Sequence, residues 1–256
     1  MSYQVIMITG ATAGIGKATA LHFAGLGYRL VLVARRQALL QQLQQQIGPS
    51  QCAIIACDIT HRNELTRQIA LLPESFREID VLVNSAGLAL GLGKAPEVQW
   101  SDWETMINTN CMALAYITQL LMPGMVQRNR GHIVNIGSIA GTYPYAGGNV
   151  YGATKAFVEQ FTLNLKADLL GTAVRVSNIE PGMVGDSEFS LVRFKGDQSK
   201  AAAVYQGIEF LKPEDIAASI AWAVSQPTHV NINRMEIMPV SQAPSRTAYH
   251  KKDEND

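Results

Sequence analysis

Short, continuously apolar segments alternate with longer helical patterns along almost the whole chain. Seven segments rich in β-branched residues are predicted strands, at 5–9, 29–34, 52–57, 80–84, 132–137, 173–179 and 232–238. Six predicted helices lie between them, at 15–26, 37–47, 62–72, 100–127, 151–170 and 213–225. Strands that are apolar on both faces are typical of a covered parallel sheet. The pattern predicts a Rossmann-type, doubly wound α/β fold with a seven-stranded parallel sheet and helices on both faces.

The composition fits one folded unit. A length of 256 residues with 47% hydrophobic and 16% charged residues is enough for one substantial core. We predict a single domain over residues 1–240 and a polar, mobile tail over 241–256. The segment 181–212 lacks clear periodicity and is longer than an ordinary connection, which indicates a lid over the substrate.

Charge and cysteine content argue against several classes of protein. The 21 basic and 21 acidic residues balance, so neither nucleic acid nor an anionic membrane is an expected partner. Three cysteines without ligand spacing and five scattered histidines indicate no metal site. Because the sequence has neither a cleavable leader pattern nor an apolar run long enough for a bilayer, we expect a cytoplasmic protein.

A glycine-rich turn follows the first predicted strand. Without a Cβ, Gly10, Gly14 and Gly16 allow a tight turn and a close approach to a pyrophosphate, which the free amides of the next helix favour. The alternative is a strand-to-helix turn that binds nothing.

The end of the second predicted strand indicates which dinucleotide would bind. An NAD site would place a carboxylate there for the ribose 2′-hydroxyl, whereas this chain has Ala34 followed by Arg35 and Arg36. Arginine suits a 2′-phosphate, which points to NADP, unless both arginines are merely solvated. Asp58, after the third strand, is predicted to contact the adenine amino group, or else to cap a turn.

Ser138, Tyr151 and Lys155 form a candidate proton-transfer group. If Tyr151 opens a helix, Lys155 follows one turn later on the same face, where its charge favours the phenolate. The phenol then becomes a base usable near neutral pH. This spacing also arises by chance, and the glycine-rich turn in the same chain makes it more significant.

Together these motifs resemble those of the short-chain dehydrogenases/reductases, over almost the whole chain. The matching residues are the turn at 9–16, Asn84-Ser-Ala-Gly87, Asn110, Ser138, Tyr151 with Lys155, and Pro181-Gly182. Two positions depart from the family pattern. Ser85 stands where the family more often has a second asparagine, and Met-Val-Gly-Asp-Ser at 183–187 replaces the usual threonine after Pro-Gly, so that the position of the surviving hydroxyl is shifted.

The resemblance implies roles for these residues. Tyr151 is the general acid/base, Lys155 supports it and binds the nicotinamide ribose, and Ser138 orients the substrate oxygen. Asn110 would support a water relay, or instead be satisfied inside a kinked helix. The predicted NADP contacts are Gly10, Thr12, Gly14, Ile15, Gly16, Arg35, Arg36, Asp58, Ile59, Asn84, Gly87, Tyr151, Lys155, Pro181, Gly182, Val184 and Ser187.

Further segments resemble a narrower group, the bacterial NADP-dependent 3-hydroxy acid dehydrogenases, which include serine and L-allo-threonine 3-dehydrogenases and malonic semialdehyde reductases. The segments are 87–91, 144–155, 188–190, 192–197 and 229–233. The resemblance implies a small substrate with a β-hydroxyl on a carboxylic or amino acid. Such a carboxylate needs a cation, and Arg193 is preferred over Lys195, the alternatives being a solvated charge or a subunit contact.

Other interpretations remain open at this stage. The same scaffold also suits an NADPH-dependent reductase of uncharged carbonyl compounds or, from another class, a non-catalytic NADP-binding regulator. The intact Ser138, Tyr151 and Lys155 argue against the regulator. Phe157 and Phe161 lie on the face of their helix that is turned away from the catalytic pair. Because the corresponding helices pair between subunits in the family, the resemblance implies a homotetramer.

Overall fold

A parallel sheet of seven strands forms the centre of the protein. The computed structural model describes residues 4–244, and the sheet order within them is β3-β2-β1-β4-β5-β6-β7. The strands are β1 Val5–Thr9, β2 Arg29–Ala34, β3 Cys52–Ala56, β4 Val81–Asn84, β5 Gly131–Ile136, β6 Val174–Pro181 and β7 Arg234–Ile237. Strand order reverses between β1 and β4, as in a doubly wound fold. The predicted fold class is confirmed.

Helices cover both faces of the sheet. They are α1 Gly14–Gly25, α2 Gln37–Ile47, α3 Arg62–Ala70, α4 Glu74–Arg77, α5 Trp100–Ile107, α6 Leu114–Gln127, α7 Asn149–Asp168, α8 Phe189–Arg193, α9 Gln198–Ala203 and α10 Pro213–Ser225. Side chains alternate across each strand, so that Ile6 and Ile8 of β1 pack under α1, α2 and α10 while Val5 and Met7 pack under α3, α6 and α7. Both faces are therefore apolar, as the continuous runs in the sequence indicated.

The predicted helix at 100–127 is interrupted. A π-helical turn, Asn108–Ala113, separates α5 from α6, so the predicted helical segment consists of two α-helices joined by this turn. A π turn adds one residue without breaking the helical path, and the hydrophobic pattern therefore runs through it. The predicted helix at 62–72 ends at Ala70, and the separate short helix α4 follows. The predicted strand limits agree with the structure to within two residues.

Local signals explain where several helices begin and end. Gly27, two residues after α1, has a φ of 82°, a left-handed value that suits glycine and stops the helix. At the start of α10, Pro213 occupies the first turn and the Lys212 amide donates to Asp215 Oδ2 over 2.8 Å. This bond satisfies a backbone donor just before the first helical turn, where the helix itself offers no partner.

The predicted lid segment, 181–212, has short helices of its own. Its base is fastened by two backbone bonds, Gly185 N to Leu211 O and Leu211 N to Met183 O, both 2.9 Å. Two short helices lie between these bonds in the sequence, α8 with 5 residues and α9 with 6 residues. The predicted polar tail begins at 241, and its Gln242 is buried, with Oε1 accepting from the Met183 amide over 3.0 Å. Residues 245–256 of the predicted tail lie outside the described part, and the domain limit at 240 stays a prediction.

Candidate active site

A cavity of about 380 Å³ lies beyond the carboxyl ends of the central strands. Its walls come from the turns after β1, β2, β3, β4 and β5, from the end of β6 and from the lid. Open parallel sheets bind ligands at this edge, next to the reversal of strand order. The volume lies in the range of small-molecule sites. The cavity is therefore the candidate active site.

The glycine-rich turn forms one end of the cavity. Gly10 has a φ of 68°, and a Cβ on it would lie 2.9 Å from the Cα of Ala86, so a larger residue would clash with backbone. Thr12, Gly14 and Ile15 line the wall, at the N-terminus of α1. Its first amides have no partner within the helix and suit the negative charge of a diphosphate. Gly16 lies inside α1 behind this wall, where a Cβ would meet the Gly10 carbonyl.

The end of β2 brings both predicted arginines to the cavity. The Arg35 side chain is 72% exposed and lies 3.8 Å from Asp58 Oδ2, whereas Arg36 pairs with Glu188 of the lid. Asp58 forms the predicted turn, since Oδ1 accepts from the Thr60 amide and hydroxyl over 2.9 and 2.7 Å. Burial raises the pKa of Asp58, but the Thr60 hydrogen bonds and Arg35 outweigh it, so that the pKa lies below its usual value. Asp58 and Ile59 also line the cavity, and the predicted adenine contact stays a prediction.

Asn84 lies behind the cavity rather than on its wall. Its Nδ2 donates to Thr118 Oγ1 over 3.0 Å and to Asn135 Oδ1 over 2.8 Å, and Asn135 in turn donates to Thr162. The side chain therefore ties β4 to β5 and α6, and Ser85, Ala86 and Gly87 form the wall instead. Strand alternation turns the last side chain of β4 toward the helices, which the motif alone did not indicate.

Ser138 and Tyr151 meet at the inner end of the cavity. Ser138 follows β5, and its Oγ accepts from the Ala140 amide over 3.1 Å, at the start of a short 3₁₀ turn, Ile139–Gly141. This bond fixes the hydroxyl and leaves its hydrogen available for donation. Tyr151 lies in the first turn of α7, as predicted, and both side chains line the cavity.

Lys155 follows Tyr151 by one turn of α7 and is buried. Its Nζ donates to the Ile136 carbonyl over 2.7 Å and lies 5.9 Å from the centre of the Tyr151 ring. Burial lowers the pKa of Lys155 from its usual 10.5 to about 8, although nearby Cys111 opposes the shift. The ammonium is therefore mostly charged at neutral pH and close enough to stabilise a phenolate.

Asn110 lies in the π-helical turn and is buried. Its Oδ1 accepts from the Leu88 amide over 2.9 Å, and its Nδ2 donates to the Leu88 carbonyl and to Thr154 Oγ1 over 2.8 and 3.1 Å. A Cβ on Gly87 would lie 3.2 Å from Asn110 Oδ1 and 3.7 Å from Lys155 Nζ. The side chain thus fixes the loop after β4, which matches the interpretation of a satisfied polar group in an irregular helix. The water relay stays a prediction.

The lid contributes the remaining wall. Arg193 is buried, and its guanidinium lies 5.2 Å from the centre of the Tyr151 ring and 5.0 Å from that of Phe189. Its Nη2 donates to Tyr145 Oη over 3.5 Å, while its buried Nε has no hydrogen-bond partner among residues 4–244. Pro181, Gly182, Val184 and Ser187 also line the cavity, and their contact with the cofactor stays a prediction. Burial rules out the interpretation of Arg193 as a solvated charge.

Several lining residues received no role from the sequence, although Leu88, Glu188 and Phe189 lie in segments that resemble the 3-hydroxy acid dehydrogenases. Phe189, Tyr205 and Leu88 complete the apolar part of the cavity, and Glu188 closes the side near Arg36. They lie in segments without helical or strand periodicity, so only the fold brings them together. Lys195, the other candidate for the substrate carboxylate, points away and pairs with Asp102 over 2.9 Å.

Residues 4–194 match the sequence profile of the short chain dehydrogenases. The chain belongs to this family. It is 51% identical over 248 residues to the NADP-dependent 3-hydroxy acid dehydrogenase YdfG of Salmonella typhi, covering 97% of this chain and 100% of that one. It is 47% identical over 238 residues to the serine 3-dehydrogenase of Agrobacterium fabrum, covering 93% and 94% respectively. These matches confirm the predicted family.

A solved structure shows the same fold. The closed form of a serine dehydrogenase complexed with NADP+ matches this short-chain dehydrogenase with a TM-score of 0.93 at 50% identity, covering 97% of this chain and 100% of that one. Within residues 4–244, no helix has the length and apolar character needed to cross a membrane. The same residues contain no group of three or more His, Cys, Asp or Glu side chains that could hold a metal ion.

Proposed function

We propose that the chain is an NADP-dependent dehydrogenase that moves hydride between the nicotinamide and the β-carbon of a small 3-hydroxy acid or hydroxy amino acid. Serine, L-allo-threonine and 3-hydroxypropionate represent this class. The observation that carries the proposal is the buried Arg193 guanidinium, 5.2 Å from the centre of the Tyr151 ring. It supplies a cation for a carboxylate beside the group that would take the proton from the hydroxyl.

The residues of the cavity fit NADP. The glycine-rich turn and the α1 N-terminus would hold the diphosphate, Arg35 the 2′-phosphate, and Lys155 the nicotinamide ribose, whereas Arg36 is engaged with Glu188. Ala34, at the end of β2, leaves the site without the carboxylate that would repel a 2′-phosphate. Two of the similar proteins named above, the 3-hydroxy acid dehydrogenase of Salmonella typhi and the serine dehydrogenase of solved structure, are described as NADP-dependent and as complexed with NADP+, which supports the same cofactor. When bound, the nicotinamide supplies the hydride acceptor or donor.

The protein side chains carry the proton chemistry. In the oxidative direction Tyr151 removes the hydroxyl proton, and Ser138 donates a hydrogen bond to the substrate oxygen. The positive charge of Lys155 stabilises the negative charge that forms on Tyr151. At an effective dielectric near 20, two unit charges about 6 Å apart interact by about 3 kcal/mol. Arg193, at 5.2 Å from the ring centre, places a second cation near the phenol.

Arg193 also explains why an acid substrate suits this cavity. Its Nε is buried without a hydrogen-bond partner in the described residues, and an orphaned donor on a charged group is costly. A carboxylate would satisfy this donor and could accept two parallel bonds from the guanidinium. A three-carbon hydroxy acid bound in this way presents its β-hydroxyl toward Tyr151 and Ser138.

Replacing Arg193 with methionine tests the proposal. Losing a charge-assisted hydrogen bond of about 1.5–3 kcal/mol should lower kcat/KM for hydroxy acids by about 10- to 100-fold, mainly through KM. Neutral alcohols of the same length should change little. The matched control is Lys195→Met, which removes a cation two residues away that pairs with Asp102 outside the cavity. Equal losses for acids and neutral alcohols would contradict the proposed carboxylate site.

The two rival functions give different results in one assay. The enzyme is mixed with NADP and L-serine, L-allo-threonine, 3-hydroxypropionate or 3-hydroxyisobutyrate, and absorbance of the reduced nicotinamide is followed. Faster turnover of uncharged carbonyl compounds in the reverse direction would favour a general carbonyl reductase. Tight NADP binding without turnover of any substrate would favour a regulator. The homotetramer and the cytoplasmic location stay predictions.

A further inference from the structure

An ion pair joins the lid to the dinucleotide end of the cavity. Arg36 Nη1 lies 3.0 Å from Glu188 Oε1 and 2.8 Å from Oε2, so one nitrogen contacts both oxygens of the carboxylate. The same guanidinium donates from Nη2 and Nε to Thr12 Oγ1, over 3.1 and 3.4 Å. Arg36 therefore bridges two parts of the cavity wall. One is the glycine-rich turn, where a diphosphate would bind, and the other is Glu188, the N-cap residue of α8 in the lid.

This bridge lies at the wall of the cavity, between the glycine-rich turn and the lid. Thr12, Arg36 and Glu188 all line the cavity. Next to the bridge, a Cβ on Gly14 would lie 3.2 Å from Ser187 Cβ, so the lid approaches the turn closely here. Separating the two sides requires the Arg36–Glu188 pair to break.

Arg35 lies in a different environment from its neighbour. Its side chain is 72% exposed and does not contact the lid in the described structure, and its nearest carboxylate oxygen, on Asp58, is 3.8 Å away. Such a loose pair leaves its planar donors available to an added phosphate. The two adjacent arginines thus face different groups, although the sequence presents them as equivalent.

We infer that the Arg36–Glu188 pair is a clasp that closes the lid over a bound dinucleotide and slows its release. Arg35 serves as the contrast, because its proposed contact with the 2′-phosphate concerns NADP alone. The inference rests on the proposed use of a nicotinamide dinucleotide. The clasp joins two protein side chains and does not involve the 2′-phosphate that distinguishes NADPH from NADH. It therefore retains both dinucleotides alike. Its two side chains are 44% and 48% exposed, so solvent screens the pair and its effect is modest.

The test measures release of NADPH and of NADH by stopped-flow fluorescence, together with their equilibrium affinities. Glu188→Gln keeps the side-chain size and removes the charge. It should speed release of both dinucleotides by the same factor, up to about fivefold, which corresponds to an exposed ion pair. Arg35→Met should weaken NADPH binding by about tenfold or more and leave NADH binding nearly unchanged.

The control variant is Lys200→Gln. Lys200 belongs to the same lid and forms an exposed pair with Asp197 over 3.0 Å, but neither residue lines the cavity. Release rates in this variant should equal those of the wild type. If Glu188→Gln fails to fold, Glu188→Asp keeps the charge but shortens the reach by one methylene, and faster release of both dinucleotides is again expected.

Two results would overturn the inference. Unchanged release in the folded Glu188 variants would show that the pair does not retain the dinucleotide. Slower release of NADPH alone would show that Glu188 competes with the 2′-phosphate for Arg36. These measurements need no substrate, so an error in the proposed substrate class would leave them unaffected, whereas failure of both dinucleotides to bind would contradict the proposed function itself.

Discussion

The two walls of the cavity are held by different forces. On the sheet side, Ser138, Tyr151 and Lys155 are buried; Tyr151 and Lys155 lie in α7, and Ser138 closely follows β5. Lys155 is fixed by a 2.7 Å bond to the Ile136 carbonyl. On the lid side, α8 and α9 are short, and Asp186 and Lys195 on either side of α8 have left-handed φ values of 47° and 52°. The outer contacts of the lid include ion pairs that are partly exposed to solvent.

This difference matches what each wall must do. Proton transfer needs groups that are held in place before the reaction, because reorganisation would add to the barrier. A lid over a ligand must open and close in each catalytic cycle, so the contacts that hold it must be weak enough to break each time. The left-handed residues, which cost energy in non-glycine positions, mark where the lid backbone departs from regular structure. The comparison yields three predictions.

The largest effect is expected on the sheet side, from Tyr151→Phe. Removing one hydroxyl leaves the ring packed against Phe189 but takes away the proton acceptor. Because general acid–base catalysis contributes about 10²- to 10⁴-fold, kcat should fall by that factor in steady-state assays with NADP and the best hydroxy acid. NADPH affinity, measured separately by fluorescence, should change little. A kcat within tenfold of the wild type would mean that another group moves the proton.

The second prediction concerns the stability cost of Lys155. Its folded-state pKa of about 8 lies below the unfolded value of 10.5, so the folded protein disfavours the charged form. Below pH 8 both the folded and the unfolded state hold the proton, so the full loss of stability from burying the charged lysine is present. Between pH 8 and 10.5 the unfolded chain binds more protons than the folded one, so stability rises with pH. The shift of about 2.5 units corresponds to about 3 kcal/mol.

Comparison with Lys155→Met isolates this effect from other titrating groups. Urea unfolding of both proteins at several pH values gives the difference in unfolding free energy. From pH 8 to 10.5 this difference should move in favour of the wild type by about 3 kcal/mol. A difference that stays constant with pH would show that Lys155 has an ordinary pKa and that burial does not perturb it.

The smallest effect is expected on the lid side, from Lys195→Met. Lys195 is 59% exposed, and its pair with Asp102 lies outside the cavity. Exposed pairs contribute about 0–1 kcal/mol, so the unfolding free energy should fall by less than about 1 kcal/mol. Thermal and urea unfolding measure the change. A loss above 2 kcal/mol would contradict the view that weak contacts hold the lid.

Much of the fold was predictable from the sequence because its signals are local. The strands and most helices follow from apolar periodicity, which repeats within a few residues and sets the buried face directly. The π-helical turn at Asn108–Ala113 escaped prediction because it inserts a residue without interrupting that pattern. The motifs singled out Asn84 and Asn110, but their hydrogen-bond partners, Asn135 and Leu88, lie in other parts of the chain, so the sequence did not indicate these bonds.

The spacing of Tyr151 and Lys155 determined that both side chains reach one end of the sheet, since four residues make one helical turn. The alternation of strands and helices likewise determined the fold class. Tertiary structure alone decided that Arg193 lies over Tyr151, that Asn84 turns behind the cavity, and that Arg36 meets Glu188 across 152 residues of sequence. Contacts at such separations depend on how whole elements pack, and side chains in irregular segments have no periodicity that specifies their partners.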